Sequence, residues 1–157
     1  MAKPYRLLIA LMLTVAFVAG YATVSSSETR DSGANQVVGT VVRFTAGPTS
    51  VDVTINKDNP AVRDFLSMLP LSLTLKEFNG REKIGYLPRK LDYSGSPGSD
   101  PADGDLIYFV PWGNIGFYYN AAGIGYSSQT IHLGTHKASS EQLEELEGRP
   151  VTVEVVH

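Results

Sequence analysis

Residues 71–87 read LSLTLKEFNGREKIGYL. A leucine occupies every second position from 71 to 75, the period-two pattern that places alternate side chains on one face of a strand. Asn79-Gly80 separates this run from a second one over residues 82–87, and Asn-Gly readily adopts the positive φ angles of a two-residue hairpin turn. The stretch therefore predicts a β-hairpin with one apolar face to bury.

The same alternation recurs on both sides of this hairpin. Residues 51–55 and 151–155 each carry an apolar residue at every second position and predict further strands. Leu106 to Val110 and Ile115 to Tyr119 flank the run Pro111-Trp112-Gly113-Asn114 and predict another strand pair. Because proline has no backbone N–H, the ladder cannot run unbroken through that run.

Two short helices interrupt the predicted strands. The Asn-Pro pair at 59–60 caps and opens the first, which ends before Pro70. Ser139 with Gln142 forms a capping pattern for the second, and Gly148 ends it. The glutamates of this second helix are interpreted as its solvated outer face.

The predicted elements are mostly β, with about eight short strands in all, and they favour a closed barrel because closure removes exposed sheet edges. Between Asp92 and Gly104 lies a segment rich in glycine, proline, serine and aspartate. Its length predicts either a lid or a disordered excursion.

The composition bounds the class of protein. With 157 residues, 43% hydrophobic and 18% charged, the chain has the length and composition of one globular domain. The net charge of −3 and the lack of a basic stripe argue against a nucleic acid partner. The sequence has no cysteine, which excludes disulfides, thiolate metal sites and lipid attachment through cysteine.

The first residues predict a signal peptide over 1–22. Lys3 and Arg6 form a positive start, Leu7 to Val18 is an uncharged apolar run, and cleavage after Ala22 fits the small residues there. The alternative is an uncleaved anchor, because the uncharged stretch from 7 to 24 could just span a bilayer. Either way, the protein is expected to be exported to the periplasm or beyond.

Residues 23–36 are polar and serine-rich and predict a disordered tether, which leaves 37–157 for the folded domain. Loss of the leader would remove Lys3 and Arg6 and change the net charge from −3 to −5. Membrane contact is expected only through an uncleaved leader, and the oligomeric state stays open.

Several short runs follow one another along the folded part of the chain. They are Asp58-Asn59-Pro60-Ala61, Leu69-Pro70-Leu71, Asn79-Gly80, Tyr86-Leu87-Pro88, Gly104-Asp105-Leu106, Pro111-Trp112-Gly113-Asn114 and Leu133-Gly134. In this order they resemble the small prokaryotic cyclophilin-like fold proteins. The resemblance extends from about Val37 to the C-terminus, and its most specific part is Pro111-Trp112-Gly113-Asn114.

This resemblance implies a cyclophilin-type barrel of about eight strands with a helix at each end, in a family of largely unassigned activity. Shared fold does not transfer catalysis. Prolyl isomerases of this fold carry a Phe-His-Arg motif, which this sequence lacks. Isomerisation of prolyl peptides outside the cytoplasm is therefore the alternative function, with Arg81, Arg89 or Gln129 as the only candidate donors.

The main binding hypothesis comes from a dense group of aromatic residues between 108 and 126. Phe117 and Tyr118 must face opposite sides of one strand, so one side is left for a pocket unless the group serves only as core. We expect a groove that binds a small molecule or a short peptide. Its candidate residues are Glu82, Tyr86, Trp112, Asn114 and Tyr118.

Glu82 and Lys83 are neighbours on one strand, so only one of them can face the barrel interior. Glu82, if it points inward beside Tyr86 or Asn114, could orient a polar ligand. The competing interpretation is an exposed carboxylate at a sheet edge, which is the usual environment of glutamate.

No other residues predict a catalytic or metal site. His132 and His136 are too far apart on an extended strand, about 13 Å, to share one ion without a bend. Asp100, Asp103 and Asp105 lack the spacing of a calcium loop and predict turns. We found no nucleophile elbow, zinc-protease motif, phosphate loop or dinucleotide fingerprint, and we expect neither metal nor cofactor.

Overall fold

The computed structural model describes residues 36–157. The predicted leader and all of the predicted tether except Gln36 lie outside these residues. The described part has eight strands and two helices. They are β1 Val41–Ala46, β2 Thr49–Thr54, α1 Pro60–Ser67, β3 Leu71–Phe78, β4 Glu82–Tyr86, β5 Asp105–Phe109, β6 Asn114–Tyr118, β7 Thr130–His136, α2 Ser140–Leu146 and β8 Pro150–Val156.

The strands close into a barrel in the order β1-β2-β7-β5-β6-β4-β3-β8. All neighbouring strands are antiparallel. Alternate side chains point into one core, in which Phe44, Phe117 and Val153 are fully buried. The structure thus confirms the predicted closed, mostly β barrel with two short helices.

The β3–β4 hairpin forms as predicted. Asn79 and Gly80 both have positive φ, 62° and 67°, and the N–H of Arg81 donates to the carbonyl of Phe78 at 3.2 Å. A non-glycine residue rarely adopts this conformation, and asparagine does so more often than most. The turn therefore sets the register in which Glu82 lies opposite Phe78.

Both helix caps match the sequence pattern. Oδ1 of Asn59 accepts from the N–H of Val62 at 3.0 Å, and Pro60 occupies the first turn. Ser139 and Gln142 form a reciprocal capping box at the start of α2. Neither helix in the described part has the length and apolar character needed to cross a membrane.

The segment between Asp92 and Gly104 is held against its neighbours. The Oγ of Ser96 accepts from the N–H of Ala61 at 2.9 Å, and the backbones of Ser99 and Ser127 exchange two hydrogen bonds of 3.1 and 3.0 Å. The segment is therefore not a free excursion, and it lines no part of the pocket described below.

Lys83, not Glu82, is the residue of this pair that points toward the barrel interior. Its ammonium group lies 2.7 Å from a carboxylate oxygen of Glu77 and 2.7 Å from one of Glu147. Glu147 also accepts from the N–H of Glu77 at 2.9 Å. The interpretation of the α2 glutamates as merely solvated was therefore wrong for Glu147, because a buried cation requires a partner.

Candidate functional site

The outer wall of the barrel carries apolar side chains that the core does not use. In β6, Phe117 points into the core and Tyr118 to the opposite side, as the alternation predicted. In β5, Leu106 joins the core, whereas Ile107 joins a second, smaller cluster with Tyr118. The wall formed by β4, β6 and β5 therefore has an apolar surface outside the barrel.

On this wall lies a pocket of about 280 Å³. The loop that follows β6 and the turn between β5 and β6 form parts of its rim. Its apolar lining residues are Phe78, Ile107, Phe109, Trp112, Tyr118 and Ile124. A concave, mostly apolar site with a few polar groups is typical of small-ligand sites, which commonly measure about 300 to 1,000 Å³.

Trp112 organises the aromatic part of the lining. Its ring centroid lies 5.2 Å from that of Phe78 and 5.5 Å from that of Phe109, with interplanar angles of 87° and 86°. In each pair the edge of one ring lies against a face of the other, and the three rings together are called the aromatic box. Trp112 also keeps 46% of its surface exposed, so the pocket is open to a ligand on this side.

Asn114 lines the pocket and carries a buried hydrogen-bond acceptor that is unused. This residue lines the pocket, is only 2% exposed, and its Oδ1 accepts no hydrogen bond from any residue in the described range. Buried polar atoms in proteins are nearly always paired. The side chain therefore has hydrogen-bonding capacity that the described part of the chain does not fill.

Glu82 places a partly buried carboxyl group beside these rings. A Cβ atom on Gly116 would collide with this carboxylate, so glycine makes room for it. Burial raises the pKa of Glu82 from 4.5 to about 7; hydrogen bonding to Tyr118 opposes the rise, and the charge of Glu77 adds to it. The pocket thus holds a group that changes its protonation near neutral pH, a property common at functional sites.

This raised pKa makes a prediction about stability. The stability that Glu82 contributes is fully present below pH 4.5 and is lost as the pH rises through 7, because folding favours the neutral acid. We expect the free energy of unfolding of the unaltered chain to fall by about 2 kcal/mol between acid and alkaline conditions, and Glu82→Gln to abolish this fall. Urea unfolding below pH 4.5 and above pH 7 measures the change in unfolding free energy. The control is Glu154→Gln, on the exposed face of β8. An unchanged pH slope in Glu82→Gln would contradict the prediction.

Four of the five predicted binding residues line this pocket together: Glu82, Trp112, Asn114 and Tyr118. Tyr86 lies outside it, 51% exposed, in an adjoining depression that shares Trp112 with the pocket. The side chains meet because the register of β4 and β6 pairs Glu82 with Tyr118 and Tyr86 with Asn114.

The orientation of Glu82 differs from the one considered from the sequence. It lies on the outer wall beside Asn114 and Tyr118, whereas the inward position belongs to Lys83. It is also not a fully exposed edge carboxylate, because β4 is paired on both sides, with β3 and with β6. The pocket is therefore a feature of the barrel surface.

Sequence reasoning missed Phe78, Ile107 and Ile124 as lining residues. Phe78 ends β3 next to the hairpin turn, and Ile107 shares its strand face with Phe109. Alternation could have linked Ile107 to Phe109, but no local signal says which face of β5 meets the core. Ile124 comes from a loop, where no period exists to place it.

The two histidines considered as metal ligands instead contact other residues of the barrel. Nε2 of His132 lies 2.7 Å from Oδ1 of Asn56, whereas His136 packs against Phe117 with ring centroids 5.3 Å apart. Burial lowers the pKa of His136, with nearby backbone carbonyls and Asp105 opposing. Within residues 36–157 no three metal-ligating side chains cluster.

The donors considered for prolyl isomerisation do not reach the pocket. Arg89 is engaged with Asp64 through two hydrogen bonds of 2.6 and 2.8 Å. Arg81 donates to the carbonyl of Ala122 at 2.7 Å, and neither arginine nor Gln129 lines the pocket.

Comparison with known proteins identifies relatives of this fold. The sequence model described as the cyclophilin-like family matches residues 44–156. A hypothetical protein from Archaeoglobus fulgidus, known from a solution structure, aligns with a TM-score of 0.55 and 19% identity over 76% of this chain and 97% of that one. At this identity the likeness shows the fold alone. No curated protein matches significantly.

Proposed function

The chain belongs to the cyclophilin-like family, and we propose that the pocket on its outer wall binds a small molecule or part of a short peptide. Because a fold does not determine a function, the proposal rests on the site. The observation that carries it is the unpartnered Oδ1 of Asn114 beside a box of aromatic rings. A ligand with a hydrogen-bond donor and an apolar body would satisfy both features.

The chain provides its own reporter for binding. Trp112 is the single tryptophan of the sequence, and it lines the pocket. A panel of small organic fragments and short proline- or aromatic-containing peptides can therefore be titrated while its fluorescence is followed. We expect at least one member of the panel to produce a saturable change in emission.

Replacing the tryptophan itself tests the location of the site. We expect Trp112→Leu to weaken binding of such a ligand at least about tenfold, because aromatic anchors dominate recognition surfaces. Ligand-observed NMR measures this without the fluorophore. The matched control is Tyr126→Leu, because Tyr126 is also aromatic, is 69% exposed and does not line the pocket. Equal affinities of Trp112→Leu and the unaltered chain would place the ligand elsewhere.

The alternative function, prolyl isomerisation, predicts a different result. An isomerase of this kind needs a cation or amide donor that polarises the prolyl amide, and the lining of the pocket contains no cationic side chain and no side-chain amide other than that of Asn114. We expect the purified domain not to accelerate isomerisation of a prolyl peptide. Acceleration that disappears in Arg81→Ala or Arg89→Ala would favour the isomerase over simple binding.

We further propose that the protein is exported through its N-terminal leader. The support is the charged start, the apolar run and the small residues before Ala22, all read from the sequence. Mass spectrometry of the protein from the extracytoplasmic fraction tests this. A mature N-terminus at residue 23 is the expected result, and full-length protein in the cytoplasm would contradict export.

A further inference from the structure

We propose that the ligand of this pocket is a small protonated amine, an inference that rests on the proposed binding function. Three features of the lining favour a cation that carries an N–H group: a carboxyl group without a basic partner, a box of aromatic rings, and an amide oxygen without a donor. Each attracts such a group for a different physical reason.

The carboxyl group of Glu82 lacks a counter-ion. Among residues 36–157, no basic side chain forms an ion pair with it, and no basic residue lines the pocket. Other acidic residues of the barrel do have such partners: Arg43 lies 2.7 Å from Asp52, for example. Because a partly buried carboxylate is unfavourable without a positive charge, a ligand cation would supply what the pocket lacks.

The aromatic rings favour the same ligand. Each edge-to-face contact of Phe78 and Phe109 with Trp112 covers a face of only one ring of the pair, and Trp112 stays 46% exposed. The face of an aromatic ring carries negative charge. A cation close to such a face is stabilised, most strongly by tryptophan. The rings therefore add attraction for an ammonium group that a neutral ligand of equal size would not experience.

The amide of Asn114 restricts the cation to one with an N–H. Its Oδ1 is a buried acceptor that needs a donor, and a quaternary ammonium has none to offer. The pocket of about 280 Å³ also limits the ligand to a small molecule or a single amine-bearing side chain.

The titratable groups around Glu82 predict how binding depends on pH. Tyr118 faces Glu82 from β6, and Glu77 acts on it from β3. The charge of Arg81, which precedes Glu82 in the chain, acts on Tyr118. The parts of the pocket lining contributed by β5 and β7 are uncharged, namely Ile107, Phe109 and Thr130. An ammonium ligand would favour the ionised carboxylate, so binding should tighten between about pH 6 and pH 8.

The test compares two probes that share a ring, benzylamine, which is an ammonium ion at these pH values, and benzyl alcohol, which is neutral. Titration is followed by Trp112 fluorescence and by ligand-observed NMR. We expect benzylamine to bind at least about tenfold more tightly at pH 8, and only benzylamine to show the pH dependence. In Glu82→Gln, we expect the preference for benzylamine and its pH dependence to disappear.

Two results would overturn the inference. One is equal affinity for the two probes, and the other is a preference for benzylamine that survives in Glu82→Gln at both pH values. If neutral fragments or peptides from the wider panel bind in a Trp112-dependent manner while benzylamine does not, the proposed binding function stands and the amine is wrong. If no member of either set binds, both proposals fail.

Discussion

Replacing Lys83 with methionine is expected to destabilise the barrel by about 3 kcal/mol at neutral pH. Lys83 is only 3% exposed, and its ammonium group makes two contacts of 2.7 Å with carboxylates. Methionine has a similar length and fills the same space, so the variant removes the charge without opening a large cavity. The predicted loss therefore comes from the two carboxylates left without their cation.

Those carboxylates come from different parts of the fold. Glu77 lies in β3 near the hairpin turn. Glu147 is the C-cap of α2 and also accepts a hydrogen bond from the backbone N–H of Glu77. The hydroxyl of Tyr119 donates to Glu77 at 2.8 Å. Burial lowers the pKa of Lys83, but its hydrogen bonds to Glu147 and Glu77 have the larger effect in the opposite direction. The pKa of Lys83 is therefore raised overall. Lys83 thus joins the hairpin to the second helix as a charged residue.

The pH dependence of the loss identifies this cause. The pKa of Glu147 is lowered mainly by its hydrogen bond with Lys83. Burial raises the pKa of Glu77, but hydrogen bonds from Lys83, Tyr119 and the N–H of Gly80, with the charge of Lys83, lower it overall. A lowered carboxyl pKa contributes stability above 4.5 that is lost as the pH falls, so the difference between the unaltered chain and Lys83→Met should shrink in acid.

Urea unfolding at pH 7 and at about pH 3, below the usual pKa of a glutamate, measures this difference. The control is Lys76→Met, because Lys76 lies on the exposed face of the same hairpin. We expect less than about 0.5 kcal/mol for the control, since it makes no ion pair in the described part of the chain. Similar losses in the two variants would show that Lys83 contributes only its aliphatic chain.

The features that the sequence predicted correctly are those with local causes. The Asn79-Gly80 turn and the Asn59 cap depend on residues within a few positions of each other, and the pattern for each is specific. The closed barrel followed from many short alternating strands, because each needs a partner on both edges. The family resemblance implied the same count of about eight strands.

The sequence did not predict which side of each strand faces the core. Alternation shows that Glu82 and Lys83 differ in orientation, but it does not say that Lys83 has Glu147 as a distant partner and can therefore be buried. The same limit applies to Phe109 and Phe78, which meet Trp112 from two strands that are far apart in sequence. Long-range register decides both cases, and no local pattern encodes it.

The second large effect is expected at Gly134, in the seam where β7 meets β2. Only two residue pairs join these strands, Val53 with His136 and Thr54 with Thr135. A Cβ atom at position 134 would lie 2.7 Å from the carbonyl oxygen of Thr54 and 2.7 Å from a methyl group of Val53. The backbone oxygen cannot move without separating the strands, so we expect Gly134→Ala to destabilise the barrel by about 3 kcal/mol.

A second glycine in a strand of the barrel provides the control. Gly116→Ala introduces the same methyl group into β6, but there it meets the flexible end of Glu82 and no backbone atom closer than ordinary contact. We expect a loss below about 1 kcal/mol, because the carboxylate can rotate away. Thermal and urea unfolding compare the two variants. A loss at Gly134→Ala no greater than at Gly116→Ala would show that the β2–β7 seam can open without cost to the barrel.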